Sequence, residues 1–134
     1  ILLKRFIILC TRIAREKFSV SPEREKAFDM VRQFYVLVDN HFKEKKMVQD
    51  YADMLHRSPK TLSNLFTTCG LPSPLRIIHE RIEAEAKRLL LYSQKSAKEI
   101  TEILGFEDQA TFSRFFKKMT GESVSEYRKR EKQE

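Results

Sequence analysis

Apolar residues recur at helical spacing along nearly the whole chain. Leu2, Phe6, Leu9 and Ile13 form a seam at spacings of 4, 3 and 4, and Leu3, Ile7, Cys10 and Ala14 make a second stripe beside it. So wide an apolar face has to be buried, against a preceding part of the protein or, as a dimer seam, against a second copy; the two are compatible. Residues 18–23, FSVSPE, read as a linker in which Ser21-Pro22 starts the next helix and Glu23 and Glu25 occupy its first turn. Ala27, Met30, Val31, Phe34, Leu37, Val38 and Phe42 then predict one amphipathic helix up to Lys43, ended by the charged run Lys43-Glu44-Lys45-Lys46.

An internal repeat follows. Tyr51-Ala52-Asp53-Met54-Leu55 matches Ile100-Thr101-Glu102-Ile103-Leu104 at an offset of 49, and residues 61–66 (TLSNLF) match residues 111–116 (TFSRFF) at an offset of 50. The extra residue falls in the turn Gly105-Phe106-Glu107, where Gly105 permits a positive φ. Each copy predicts a short helix, a tight turn and a second helix, the helix-turn-helix arrangement. Ser58-Pro59 and Asp108 stand where the second helices need caps, and Gly70 and Gly121 where they stop. Between the copies a long helix is expected from Ser73-Pro74 to Tyr92-Ser93, with Leu75, Ile78, Ile82, Ala86, Leu89 and Leu90 as its apolar face. A last helix starts at Ser123 and carries Val124 and Tyr127. Its basic run Arg128-Lys129-Arg130 reads as a solvated tail or a weak phosphate contact.

Composition narrows the choice. With 3 Gly and 4 Pro in 134 residues there are too few turn formers for an all-β fold, so the fold class is all-α. Cys10 and Cys69 are too few for a disulfide framework or a four-ligand zinc site and read as two thiols in a reducing compartment. His41, His56 and His79 lie too far apart for a ligand motif. There is no Gly-rich phosphate loop or nucleophile elbow, so no enzyme, metal or cofactor is expected. The opening ILLKRFIIL is broken by Lys4 and Arg5 and too short to span a bilayer, so no membrane partner is expected. The chain begins with Ile1, which suggests a fragment. A net charge of +7 points to an anionic partner.

The second helix of each copy shows where that partner binds. At 3.6 residues per turn, Leu62, Leu65, Phe66 and Cys69 share the inner face of the first and leave Lys60, Ser63, Asn64 and Thr67 outward. In the second, Phe112, Phe115, Phe116 and Met119 point in, and Gln109, Ala110, Ser113, Arg114 and Lys117 point out. Neither outer face carries an acid, although 34% of the chain is charged. Long donors without carboxylates suit DNA: Arg pairs with guanine, Asn or Gln with adenine, and hydroxyls with phosphates. The connecting helix of 19 residues is about 28 Å long, close to the 34–36 Å repeat of the major groove.

Residues 97–128, AKEITEILGFEDQATFSRFFKKMTGESVSEYR, resemble the signature of the AraC/XylS family of bacterial transcription regulators, and residues 51–66, YADMLHRSPKTLSNLF, its usual partner unit. The resemblance covers about residues 40–130. It implies a domain over 23–134 with units at about 47–69 and 96–120 joined by a helix over 73–92, preceded by an N-terminal helix and linker over 1–22 that connect to a missing N-terminal domain. It implies sequence-specific binding of double-stranded DNA in the bacterial cytoplasm, at the nucleoid, with RNA polymerase as a further partner; the apolar seam itself, not the resemblance, suggests a homodimer through residues 2–14. By the same resemblance the base-reading positions are Lys60, Ser63, Asn64, Gln109, Ala110, Thr111, Ser113 and Arg114, and the phosphate contacts Ser58, Thr67 and Lys117. Val124 departs from the family's usual Pro, and Ala110 is too small to do more than pack on a thymine methyl. The rival reading is a helical protein-interaction module acting through residues 1–42.

Overall fold

Seven helices and no strand make up residues 22–132, the part of the chain that the computed structural model describes. The apolar seam at 2–14, the linker and Cys10 lie outside the described residues. The helices are α1 Pro22–His41, α2 Val48–Met54, α3 Pro59–Thr68, α4 Pro74–Tyr92, α5 Ala97–Ile103, α6 Gln109–Thr120 and α7 Val124–Lys132. Glu23 and Glu25 sit in the first turn of α1, where the helix dipole favours anions. That helix stops two residues before the expected Lys43.

The repeat is visible in the backbone. After α2, Leu55 and His56 donate to Tyr51 O and Asp53 O, and Arg57 N–H closes back on Ala52 O at 2.9 Å. After α5, Leu104, Gly105 and Phe106 repeat these bonds on Ile100 O, Glu102 O and Thr101 O, the last at 3.1 Å. Each turn hinges on one left-handed residue: Gly105 at φ 77° in the second copy and His56 at φ 56° in the first. A residue with a Cβ loses about 1–2 kcal/mol in that conformation, and glycine costs about 0.5–1 kcal/mol in added chain entropy. His56→Gly is therefore expected to raise stability by about 0.5–1 kcal/mol in urea unfolding. An unchanged or lower midpoint would show that the imidazole contributes more than its backbone costs.

The chain forms two compact units, residues 22–41 with 45–78, and residues 42–44 with 79–132. In the first, Val31, Phe34, Tyr35 and Val38 of α1 are buried with Tyr51 and Ala52 of α2 and Leu62 and Phe66 of α3. Phe34 meets Phe66 edge-on at 4.9 Å and Tyr51 at 5.5 Å. The Tyr51 hydroxyl donates to Lys45 O at 2.6 Å, which gives this buried ring a polar partner.

In the second unit, Ile82, Ala86, Leu89 and Leu90 of α4 are buried with Ile100 and Leu104 of α5, Phe112 and Phe116 of α6, and Val124 and Tyr127 of α7. Phe116 meets Tyr127 at 5.4 Å. Ser96 and Glu99 form a reciprocal cap on α5, with Glu99 N donating to Ser96 Oγ and Ser96 N to Glu99 Oε1. Val124 occupies the first position of α7, and the Ser123 hydroxyl accepts from Glu126 N at 3.1 Å. Val124 thus opens the helix without the family's Pro.

Three details differ from the sequence pattern. Leu75 is 44% exposed while Ile77 is buried, because the first turn of α4 packs within the first unit through Ile77 and Ile78. Periodicity alone treats the helix as if one partner covered its length. Glu85 is buried on α4, and its carboxylate is bonded by Arg88. That hydrogen bond outweighs desolvation and holds the carboxyl below its usual range, helped by Arg81 and Lys43. In the run Arg128-Lys129-Arg130, Lys129 is exposed but both arginines are held: Arg128 donates from Nε to Leu90 O at 3.1 Å and from Nη2 to Lys95 O at 2.6 Å, and Arg130 pairs with Glu122 at 2.7 Å. These arginines tie α7 down within its unit, and Arg128 satisfies carbonyls at the end of α4 and beyond it.

Candidate nucleic-acid interface

The second helix of each unit is amphipathic because its sequence alternates apolar and donor residues at helical spacing. On α3, Leu62 and Phe66 are fully buried and anchor the helix, while Leu65 and Cys69 are half-buried. That orientation leaves Lys60, Ser63, Asn64 and Thr67 exposed on one face. Ser58 caps α3: its Oγ accepts from Thr61 N at 3.1 Å and lies 2.8 Å from Thr61 Oγ1. Thr67 Oγ1 donates to Ser63 O, one turn back. Arg57, exposed just before the cap, adds a guanidinium at this end of α3 that the periodicity argument passed over.

On α6, Phe112 and Phe116 are buried, and Phe115 is half-buried against His79 at 5.3 Å and Phe106 at 5.3 Å. Gln109, Ala110, Arg114 and Lys117 are exposed; Thr111 and Ser113 are half-buried. Gly121 ends the helix at φ 83°, donating to Lys117 O. Lys118, exposed next to Lys117, adds to the charge of this last turn.

The cap of α6 differs from that of α3. Asp108 Oδ1 accepts from Thr111 N at 2.7 Å and from Thr111 Oγ1 at 2.8 Å. Arg114 Nη2 donates to the same Thr111 hydroxyl at 3.4 Å. The Thr111 bonds, backbone first, hold the Asp108 carboxyl below the usual carboxylate range, with the Arg114 charge adding to the effect. The cap is therefore anionic at neutral pH.

The structure thus collects Ser58, Lys60, Ser63, Asn64 and Thr67 on one helix, and Gln109, Ala110, Thr111, Ser113, Arg114 and Lys117 on another. Within each unit the donors line one face of the helix that follows the tight turn. Neither face carries an acid beyond the Asp108 cap. Among the described residues no group of His, Cys, Asp and Glu could hold a metal ion, and no helix is long and apolar enough to cross a membrane.

Residues 51–130 match the family model for a helix-turn-helix domain. The chain is 30% identical over 122 residues to the transcriptional regulator YisR of Bacillus subtilis, covering 90% of this chain and 41% of that protein. It is 36% identical over 92 residues to the arabinose operon regulatory protein of Salmonella typhimurium, covering 69% of this chain and 31% of that one. Among solved structures it is similar to the C-terminal domain of AraT, a response regulator from Geobacillus stearothermophilus, with a TM-score of 0.67 and 28% identity over 83% of this chain and 87% of that one. The chain spans less than half the length of the curated relatives named here.

Proposed function

The chain belongs to the AraC-type helix-turn-helix family of DNA-binding transcription regulators, and from that premise we propose that α3 and α6 each enter a major groove and read double-stranded DNA in a sequence-specific way. One observation carries this reading: two copies of the same hydrogen-bonded turn each present a helix whose outer face holds donors. Lys60, Ser63 and Asn64 would read bases from the first unit, and Gln109, Thr111, Ser113 and Arg114 from the second, with Ala110 packing on a thymine methyl. Ser58, Thr67 and Lys117 would contact phosphates, together with helix N-termini. The two grooves would be successive ones on one side of the duplex. The reading includes no catalysis. For the whole protein it includes a cytoplasmic, nucleoid location, RNA polymerase as a further partner, and a homodimer through residues 2–14.

Selection from random duplex DNA at low and high salt tests it. Two enriched blocks about ten base pairs apart, with affinity falling steeply as salt rises, are expected. One block alone would reduce the other unit to a backbone grip, and no enrichment at either salt would refute the reading. Lys117→Ala is expected to weaken binding to all sequences about equally and to lower the salt slope by about one. A loss confined to particular sequences would instead make Lys117 a base reader.

A further inference from the structure

Asp108, Thr111 and Arg114 stand three residues apart, so they share one face at the start of α6. Their hydrogen bonds form a chain. The Thr111 hydroxyl donates its single proton to Asp108 Oδ1 at 2.8 Å and accepts from Arg114 Nη2 at 3.4 Å. A hydroxyl is the smallest group that can do both. Thr111 N–H bonds the same carboxylate oxygen at 2.7 Å and fixes it against the helix start.

We propose that Thr111 is a positioning residue for Arg114, relaying the hold of the Asp108 cap to the guanidinium so that the arginine is ordered before DNA arrives. The inference rests on the reading of Arg114 as a base contact. An arginine side chain carries substantial rotamer entropy, and ordering it in advance lowers the cost of binding. Only one of its five N–H donors is used by Thr111, and the others remain to reach a base edge. The bidentate pairing of arginine with guanine depends on such geometry. On this account the Thr111 hydroxyl contributes to specificity by holding Arg114, a role that replaces the direct base contact given to Thr111 above.

The first unit supplies the comparison. Ser58, Thr61 and Asn64 occupy the same three positions at an offset of 50. Ser58 and Thr61 share a hydrogen bond at 2.8 Å, but the cap is neutral and the third residue is a short amide. The relay is thus a property of the second unit, and Thr61→Val serves as a control.

The test measures binding of the wild-type chain, Thr111→Val, Thr111→Ser, Thr61→Val, Arg114→Ala and the Arg114→Ala/Thr111→Val pair. Each is tried on the selected duplex and on duplexes altered at one base pair, with thermal unfolding of every variant. Thr111→Val keeps shape and backbone N–H. It is expected to lower discrimination about 2- to 12-fold, the range of one net hydrogen bond, and only at the base pair whose identity Arg114→Ala ignores. Thr111→Ser restores the preference, Thr61→Val leaves that base pair unaffected, and Thr111→Val has no further effect once Arg114 is gone. Full discrimination in Thr111→Val would overturn the relay. So would a loss at a different base pair that persists without Arg114, since Thr111 would then read a base itself. An equal loss on all duplexes with lowered melting would leave Thr111 a cap residue only. If Arg114→Ala itself discriminates like wild type, the base-contact reading fails and takes the relay with it. A discriminating Arg114 with a silent Thr111 overturns the relay alone.

Discussion

Phe34→Ala is expected to lower the free energy of unfolding by about 3–5 kcal/mol, the range for removing a buried aromatic ring. Phe34 is 0% exposed in the middle of α1 and contacts Tyr51 on α2 and Phe66 on α3. Its loss removes these two interhelical aromatic contacts and a third with Tyr35 on the same helix, each contributing about 0.5–1.5 kcal/mol beyond area burial, and opens a cavity under the helix that carries Lys60, Ser63 and Asn64. A domain is stable by about 5–15 kcal/mol, so the variant loses a large share of it. Urea unfolding followed by circular dichroism measures the change. Val36→Ala is the control: it lies two residues away, is 52% exposed, and should stay within about 0.5 kcal/mol of wild type. A Phe34→Ala loss below about 1.5 kcal/mol would mean that the surrounding rings collapse into the space and that the aromatic cluster does not hold α3 in place. With the expected loss, base preference in the block read by the first unit should weaken at temperatures where the control still binds normally.

The parts of this fold that sequence shows are those set by local rules. The repeat between residues 51–66 and 100–116 was legible because both copies need the same apolar spacing, the same cap position and the same turn. Ser58 and Asp108 act as caps where short polar side chains precede a helical run. The Ser96–Glu99 capping box went unread, although Ser-x-x-Glu ahead of an apolar run was present to find it. His56 shows the limit of residue type as a signal: it takes the left-handed conformation that Gly105 makes easy, and the turn's hydrogen bonds hold it there. What sequence did not show depends on distant partners. Arg128 reads as part of a basic tail until Leu90 O and Lys95 O are placed beside it, 38 and 33 residues away in the chain. Glu85 reads as a solvent-facing acid on a helix, yet its buried carboxylate is bonded by Arg88 and further favoured by the charges of Arg81 and Lys43. Tyr35 and Ile77 fill positions that a single helical stripe leaves out. For the reading faces, periodicity gave the outward residues except Ser113, which is half-buried. It could not reveal that the Thr111 hydroxyl already has two partners.

Arg114→Ala is expected to weaken binding to the selected duplex by about 1–3 kcal/mol and to abolish preference at one base pair. The guanidinium is exposed on α6 beside donors that share its face, and its Thr111 contact leaves most of its N–H groups available. A base contact and a phosphate contact predict different losses. A phosphate contact weakens all duplexes alike and lowers the salt slope by about one, as expected for Lys117. A bidentate base contact removes discrimination at one position and leaves most of the slope in place. Arg114→Lys separates charge from geometry: it keeps the cation but not the planar fork, so it should recover part of the overall affinity and little of the base preference. Titrations of single-base-pair variants at two salt concentrations measure both quantities at once. A uniform loss in Arg114→Ala, recovered by Arg114→Lys, would move Arg114 from base reading to backbone gripping and leave Gln109 as the long polar side chain to carry the second unit's base hydrogen bonds.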